Sequence, residues 1–217
     1  MKNFSIMTIY GWVQQPFRAR RLKMFKQVVG PTPQTTILDV GGSPWFWTEF
    51  GVAAKITVLN PDELPNAVKL AYPAFECVGG DGCNLTYPQG SFDVGFSNSV
   101  IEHVGTFERQ KAFATAIRRV GKTIWVQTPA REFPIEPHFM APFIHYFPRW
   151  LQRKTVRWFT ILGLMTKPTP ARIEELLNEI RLLNYQEMRE LFPDCEIYRE
   201  KSMGLTKSYI AIRRDRS

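Results

Sequence analysis

Small and polar residues gather where short apolar runs of this 217-residue sequence end. The first run, 36–40, leads into Asp39-Val40-Gly41-Gly42, and paired glycines there let the backbone turn tightly beside a ligand. The window from Gly41 reads G-G-S-P-W-F-W, whereas a pyrophosphate site needs G-x-G-x-x-G. The loop therefore favours a cofactor without phosphates. Four more polar residues lie at or just after the ends of later runs: Asn60, Asp81, Ser97 and Asn98.

The three histidines and their acidic neighbours are the side chains that could accept a proton near neutral pH. Glu102-His103 follows the run at 92–97, whereas Glu136, His138 and His145 lie in the stretch PIEPHFMAPFIHYFPRW. Its prolines and aromatic residues suit an apolar pocket with a few polar groups. The three cysteines form no C-x-x-C pair, which argues against a disulfide framework or a zinc site and fits a reducing compartment.

The elements that must position these residues alternate between strands and helices. The apolar runs predict strands at 36–40, 55–59, 75–78, 92–97 and 123–127, and a helix is predicted at 106–120. Such alternation is typical of a parallel sheet covered on both faces, with ligands at the carboxyl ends of its strands. Further strands at 196–199 and 208–212, joined through Gly204, predict an antiparallel hairpin at the sheet edge.

Three helices are predicted outside this core. Pro16 is expected to end the first segment, so that a basic amphipathic helix occupies 18–29. Thr169, with Pro170 after it, is expected to begin another helix, and Asn184 with Glu187 forms a capping pair for the last.

Five motifs in order resemble those of the class I S-adenosylmethionine-dependent methyltransferases, of the methyltransferase type 11 kind. They are ILDVGGSPWFW, VLNPDE, GGDGCNL, SFDVGFSNSVIEHV and the terminal LNYQEMRELFPDCEIYREKSMGLTKSYIAI. The resemblance implies a Rossmann-like, doubly wound α/β sheet of seven mostly parallel strands with an antiparallel C-terminal edge hairpin. The methyltransferase domain would span 34–128 and 184–217, a lid insertion would span 129–183 after the fifth strand, and a basic, aromatic helical segment would span 1–33.

The resemblance also implies where the cofactor, S-adenosyl-L-methionine, would bind. Gly41 and Gly42 would face its methionine part, with Asp39 ordering the loop or meeting the amino group. The ribose hydroxyls would lie at Asn60. The remaining expected contacts are Asp81, Gly82 and Cys83 around adenine, and Ser97 and Asn98 at the methionine end.

Three departures from the usual motifs stand out. Ser43 replaces the last glycine of D-x-G-x-G, and Asn60 replaces an acidic residue, so its bond to a diol lacks charge assistance. Quinone-pathway O-methyltransferases of this superfamily carry E-x-x-E-H, associated with a divalent metal. Here Ser99 stands in place of the first glutamate. The expectation is therefore that no metal binds.

Methyl transfer is an in-line displacement, for which the protein supplies alignment and, for a hydroxyl acceptor, a base. The candidates are His138, His145, His103 and Glu136, and His138 is favoured because its proline-flanked loop would cover the methyl group. The expected reaction is O-methylation of a small-molecule, glycan-precursor or lipid-linked acceptor. Two alternatives stay open: a non-catalytic binding module of the same fold, and a nucleic-acid methyltransferase, against which the fourth run ends S-N-S-V rather than with a P-P loop.

The excess positive charge is confined to two segments. Residues 1–30 carry six basic and no acidic residues, and 129–170 carry six basic against two acidic ones. One helix is predicted within 148–165, with aromatic residues on one side and Arg149, Arg153 and Arg157 on another. This pattern fits either a helix at an anionic membrane surface or an apolar face packed on the domain. We expect a cytoplasmic protein. If the helix lies at a membrane surface, the protein would contact the inner membrane face peripherally.

Overall fold

The computed structural model describes residues 6–215, with side chains from Gln15 onwards. Residues 1–5, the start of the predicted N-terminal basic segment, lie outside the described residues. The strands are β1 Thr36–Val40, β2 Lys55–Asn60, β3 Glu76–Gly79, β4 Phe92–Asn98, β5 Gly121–Pro129, β6 Ile135–Glu136, β7 Ala141–Pro142, β8 Glu196–Ser202 and β9 Leu205–Arg213. The helices are α1 Ile6–Val29, α2 Pro44–Glu49, α3 Asn66–Ala71, α4 Phe107–Val120, α5 Arg149–Phe159, α6 Ile161–Thr166, α7 Pro170–Glu179 and α8 Tyr185–Leu191.

Seven strands form one sheet in the order β3-β2-β1-β4-β5-β9-β8. The pairs among β1 to β5 are parallel, whereas β9 runs antiparallel to both β5 and β8. The predicted fold class is thus confirmed: a doubly wound, mostly parallel α/β sheet with an antiparallel C-terminal hairpin. The order has a physical consequence, because β3, β2, β1 and β4 are neighbours whose carboxyl ends meet at one edge.

Both faces of the sheet are covered by apolar side chains. On one face, α4 and α8 pack through a cluster that includes Phe113, Ile117 and Met188. On the other face, Phe25 of α1 lies edge-on against Trp47, Phe96 and Trp125, at ring-centroid distances of 5.3–5.8 Å. The N-terminal helix is therefore part of the core.

Helix α1 continues through Pro16, so the expected break there is wrong. A proline removes one N–H from the helical ladder and usually kinks or breaks a helix. Here the half that follows Pro16 is held by tertiary packing, because Leu22 and Phe25 are buried against the sheet.

The expected single helix at 148–165 is two helices, α5 and α6, separated at Thr160. The Thr160 hydroxyl donates to the Val156 carbonyl oxygen at 2.7 Å and accepts from Gly163 N at 2.8 Å, which caps α6. A Cβ at Gly163 would lie 1.9 Å from that carbonyl oxygen, so only glycine allows the two helices to meet so closely.

Residues 139–180 carry an apolar cluster of their own, separate from the two sheet faces. Its buried members come from the loop after β5 and from α5 and α7, and include Phe139, Ile144, Val156 and Leu177. Within residues 6–215, no helix is both long and apolar enough to cross a bilayer.

Candidate functional site

The loop after β1 is shaped by a buried carboxylate. Asp39 is 1% exposed, and its Oδ2 accepts a 2.7 Å hydrogen bond from Trp47 Nε1, while its Oδ1 has no hydrogen-bond partner among the described residues. Burial raises the pKa of Asp39 to about 7, against the opposing effect of the Trp47 bond. A Cβ at Gly42 would lie 1.7 Å from Asp39 Oδ2. Glycine is therefore required where this loop passes over the carboxylate.

Asn60 and Asp81 stand at the ends of the next two strands. Asn60 Nδ2 donates to the Gly42 carbonyl oxygen at 3.1 Å, which ties the end of β2 to the glycine loop. Asp81 accepts from Cys83 N at 2.9 Å and from Arg109 Nη2 at 3.2 Å. The hydrogen bond from Cys83 N lowers the pKa of Asp81. Burial opposes this effect, but the contact with Arg109 adds to it, so the pKa stays below its usual value. Gly82 lies against Val40 and Phe113.

The two polar residues at the end of β4 have different surroundings. Ser97 is fully buried, and its hydroxyl donates to the Val40 carbonyl oxygen at 2.9 Å. The hydroxyl hydrogen is therefore used in a bond between β4 and β1. Asn98 is half-buried, and its Oδ1 accepts from Arg21 Nη1 at 2.8 Å.

A small cavity of about 180 Å³ opens over the glycine loop. Trp45, about half exposed, stands at its wall, whereas Trp47 is buried beneath the loop. Its other lining residues are Arg18, Asp39, Gly41, Gly42, Ser43, Phe46, Phe96 and Asn98. The structure thus brings Asp39, the two glycines and Asn98 to one opening.

Four titratable side chains converge beside this opening. His138 Nδ1 lies 2.6 Å from Glu136 Oε1, and its Nε2 lies 3.9 Å from Oε1 of the fully buried Glu102. Glu102 Oε2 accepts from the Thr128 hydroxyl at 2.8 Å, while Oε1 has no hydrogen-bond partner in the part of the chain that the structure describes. The rings of His103 and His138 are nearly perpendicular, with centroids 4.6 Å apart.

Burial and charge set the protonation of this cluster. Burial opposes the charged form of His138, but the hydrogen bond and charge of Glu136, with the charge of Glu102, raise the His138 pKa above its usual value. Burial, followed by the charge of His138, lowers the pKa of His103 to about 4. Burial raises the pKa of Glu102, more than His138 and Thr128 lower it. His103 is therefore neutral at physiological pH.

The same cluster is also a potential cation site. Donor atoms of Glu102, His103 and His138 all lie within 4.8 Å of one another, a separation that a divalent cation could bridge. His138 is the member that the sequence could not place there, because it comes from a loop 35 residues after His103.

His145, the remaining base candidate, lies apart from the other histidines. Its Nε2 is 3.0 Å from the Arg131 carbonyl oxygen, and burial lowers its pKa. It lines a separate cavity of about 280 Å³ together with Glu136, Arg149 and Gln152. The structure therefore brings Glu136, His138 and His103 together, but not His145.

Three cavities adjoin one another through shared residues. A cavity of about 360 Å³ is lined by His103 and His138, and it shares Arg18 and Asn98 with the glycine-loop cavity. On its other side it shares Ser99 and Met140 with an apolar cavity of about 440 Å³.

Residues 38–123 match the family model described as "Methyltransferase domain". This segment runs from within β1 to the start of β5 and includes the glycine loop and Glu102-His103. The match identifies it as part of a methyltransferase domain. The strand order of the whole sheet is that of the class I, S-adenosylmethionine-dependent methyltransferase fold. No curated protein matches the chain in sequence at a significant level.

Solved structures share the fold of this chain at low sequence identity. Magnesium protoporphyrin IX methyltransferase from Synechocystis PCC 6803, with bound S-adenosylhomocysteine, has a TM-score of 0.57 at 11% identity, covering 98% of this chain and 88% of its own. A Burkholderia thailandensis 1,6-didemethyltoxoflavin-N1-methyltransferase has a TM-score of 0.56 at 11% identity, over 93% and 78%. A structure named for Zn-dependent alcohol dehydrogenases from Rhodobacter sphaeroides has a TM-score of 0.57 at 13% identity, over 85% of each chain. Such identities establish a shared fold and no particular acceptor.

Sequence reasoning missed the basic residues that line the candidate site. Arg18 lines both the glycine-loop and the histidine cavities, and Arg21 is buried between Asn98 and Glu200, 3.6 Å from the latter. Both were counted only as part of a basic segment. The spacing of Arg18, Arg21, Leu22 and Phe25 does hold a signal, because it places the arginines on the buried side of a helix.

The arginines of the basic stripe on α5 have partners in α7 and the segment before it, although Arg149 and Arg153 stay exposed. Arg149 donates to the Leu177 carbonyl oxygen, Arg153 pairs with Glu174 at 2.6 Å, and Arg157 donates to the Pro168 carbonyl oxygen at 3.1 Å. Of the two alternatives for this helix, an aromatic side packed on the domain does not fit the structure, because the buried residues of α5 are Gln152 and Val156 while Trp150 and Trp158 are exposed. The side chains left exposed form what we call the aromatic face: Trp150, Trp158, Phe159 and Leu164.

Proposed function

We propose that the protein transfers a methyl group from S-adenosylmethionine to an oxygen atom of a small-molecule or lipid-linked acceptor, under a lid formed by residues 129–183. One observation carries the proposal: the glycine-loop cavity and the cavity lined by His103 and His138 share Arg18 and Asn98. A base therefore stands next to the loop that the family uses for its cofactor.

The residues at the strand ends fit this cofactor. Oδ1 of Asp39 is buried without a partner, which suits the ammonium group of a methionine moiety. The loop reads Gly42-Ser43-Pro44, which gives no cradle for a phosphate. In our proposal Asn60 binds the ribose diol, while Asp81, Gly82 and Cys83 frame the adenine. Ser97 contributes only through its backbone, beside Asn98.

The base in this proposal is Nε2 of His138. When bound, the cofactor supplies a methyl group on a positively charged sulfur. Glu136 accepts the Nδ1 proton of His138, which fixes the tautomer and leaves the Nε2 lone pair available. That nitrogen takes the hydroxyl proton as the acceptor oxygen gains the methyl group. Neutral His103 packs against the ring and limits its rotation. We retain the expectation of no metal.

The position of the cofactor site can be tested at Gly42. In Gly42→Ala the new Cβ must displace Asp39 Oδ2, and overpacking of this kind costs about 1–3 kcal/mol. We expect the affinity for S-adenosylhomocysteine, measured by calorimetry, to fall about tenfold. Gly51→Ala is the control for a loss of stability alone: a Cβ there meets nothing within 4 Å, but the positive φ of Gly51 (57°) strains an alanine, so this variant should lose stability and keep its affinity. Equal affinities in wild type and Gly42→Ala would contradict this position.

We also propose that the aromatic face contacts an anionic membrane surface. Trp150, Trp158 and Phe159 are 59–75% exposed. Large apolar side chains that lie together on the surface are unfavourable in water and mark interaction sites. Lys154 lies 5.7 Å above the Trp150 ring and Arg157 lies 5.3 Å above the Trp158 ring. Tryptophans beside cations are typical of helices at a membrane interface.

Vesicle binding tests the aromatic face. We expect the protein to sediment with phosphatidylglycerol vesicles more than with phosphatidylcholine vesicles, and Trp158→Ser to weaken the partition about fivefold. Leu70→Ser is the matched control, since Leu70 is 80% exposed on α3. Equal losses in the two variants, or no binding by wild type, would contradict membrane contact.

A further inference from the structure

The apolar cavity next to the histidine cavity is large and built from several elements. Its volume is about 440 Å³, and it lies between α1, the end of β5, the β6–β7 loop, α6 and the β8–β9 hairpin. The apolar part of its wall is formed by Phe17, Ala130, Phe133, Ile135, Met140 and Ile161. A cavity of this size and lining suits an apolar chain or ring system.

Two cations interrupt this apolar wall. Arg21 and Lys207 both line the cavity, and Lys207 Nζ lies 3.1 Å from the centroid of the Phe17 ring. Burial, with the charge of Arg21 and then that of Arg18, lowers the pKa of Lys207 to about 8, while Glu200 opposes the shift. Among the described residues, two cations line this cavity and one carboxylate, that of Glu200, lies 3.6 Å from Arg21, so the wall is net positive. This positive charge favours an anionic group among otherwise apolar contacts.

The cavity also communicates with the proposed site of methyl transfer. Ser99 and Met140 line both this cavity and the one that holds His138. At its outer end, Ile135, Ile161 and Met203 are 42–87% exposed, so the cavity has an apolar mouth. Ile161 begins α6, which carries Leu164 of the aromatic face. An apolar ligand could therefore enter from a surface that already favours lipid.

We propose that the acceptor is an anionic amphiphile: its apolar part fills this cavity, its anionic group lies near Arg21 and Lys207, and its hydroxyl reaches the cavity of His138. This inference rests on the proposed function and gives it a substrate class. An acceptor that is purely polar, or apolar but cationic, does not fit the same wall.

Calorimetry with dodecanoate, hexanoate, dodecan-1-ol and dodecyltrimethylammonium tests the inference on the full chain, with each ionic probe kept below its micelle concentration and the alcohol below its solubility limit. We expect dodecanoate to bind at least tenfold more tightly than hexanoate or dodecyltrimethylammonium. Lys207→Met keeps an apolar stem without the charge, and it should weaken dodecanoate about tenfold while changing dodecan-1-ol less than twofold. Ile135→Asp should weaken both. Lys201→Met, at an exposed position on β8, is the control and should change neither.

Two results would overturn the inference: dodecanoate binding no tighter than hexanoate, or an equal loss of dodecanoate affinity in Lys207→Met and Lys201→Met. The affinity for S-adenosylhomocysteine is measured on the same samples. If wild type does not bind S-adenosylhomocysteine, the proposed function is contradicted. If wild type binds S-adenosylhomocysteine but not dodecanoate, only the substrate class is contradicted.

Discussion

Replacing His138 with asparagine is expected to lower kcat by about 100- to 10,000-fold while leaving the affinity for S-adenosylhomocysteine unchanged. Asparagine cannot accept the hydroxyl proton at neutral pH, but it can still hydrogen-bond Glu136. The cofactor loop is contacted by other residues, so its affinity should hold. The measurement is the rate of S-adenosylhomocysteine formation with the hydroxyl acceptor that wild type uses best, 12-hydroxydodecanoate being among those tested.

The pH profile separates the roles of His138 and Glu136. Only neutral His138 can accept a proton, so kcat should rise with pH and level off above the raised pKa of His138. In Glu136→Gln the hydrogen bond and charge that raise this pKa are weakened, and the rise should move to lower pH. If Glu136 only held the His138 ring in place, Glu136→Gln would lower kcat without shifting its pH dependence. His145→Asn, at a side chain bonded to Arg131, should change kcat less than about twofold.

A cation at Glu102, His103 and His138 is the arrangement that would contradict a base at His138. Electron paramagnetic resonance of Mn²⁺ added to the protein distinguishes His138 as a base from His138 as a metal ligand. Tight binding in wild type that is lost in His138→Asn, together with kcat abolished by a chelator, would make His138 a ligand. We expect no tight Mn²⁺ binding and no effect of the chelator.

The arrangement of the strand-end residues that we propose bind the cofactor could be predicted from the sequence, because it depends on local rules. A buried strand that ends in Asp39-Val40-Gly41-Gly42 brings its own loop with it, and parallel neighbours place Asn60 and Asp81 at the same edge. The caps at Thr169 and Asn184 are local in the same sense, and both are present, the second with its full pair of hydrogen bonds to Glu187.

The cluster around His138, which we propose is catalytic, could not be predicted in this way, because it depends on the path of a long insertion. Glu102 and His138 are 36 residues apart in sequence, and only the fold of the segment after β5 brings their side chains together. The count of net charge did not predict the contacts of the basic residues, for a related reason. Counting charges treats each arginine as solvated, whereas Arg21 and Arg153 find Glu200 and Glu174 in other elements.

A second large effect is expected from the buried carboxylate of Asp39. Its pKa is about 7 in the free protein, because burial favours the neutral form. If Oδ1 pairs with the ammonium group of the cofactor, binding must lower this pKa and release a proton. The affinity for S-adenosylhomocysteine should then rise roughly 30-fold between pH 5.5 and pH 8 and change little above that, by the linkage between proton and ligand binding.

The sign of the effect follows from which state holds the proton. Below pH 7 the free protein carries the proton on Asp39 and must lose it to bind, whereas above pH 7 it has already lost it. Calorimetry near pH 6 in buffers of different ionisation enthalpy should therefore show proton release on binding. Asp39→Asn, which keeps an oxygen for the Trp47 N–H, should bind weakly at every pH without this slope. A flat profile in wild type, or the same slope in Asp39→Asn, would mean that the amino group binds elsewhere.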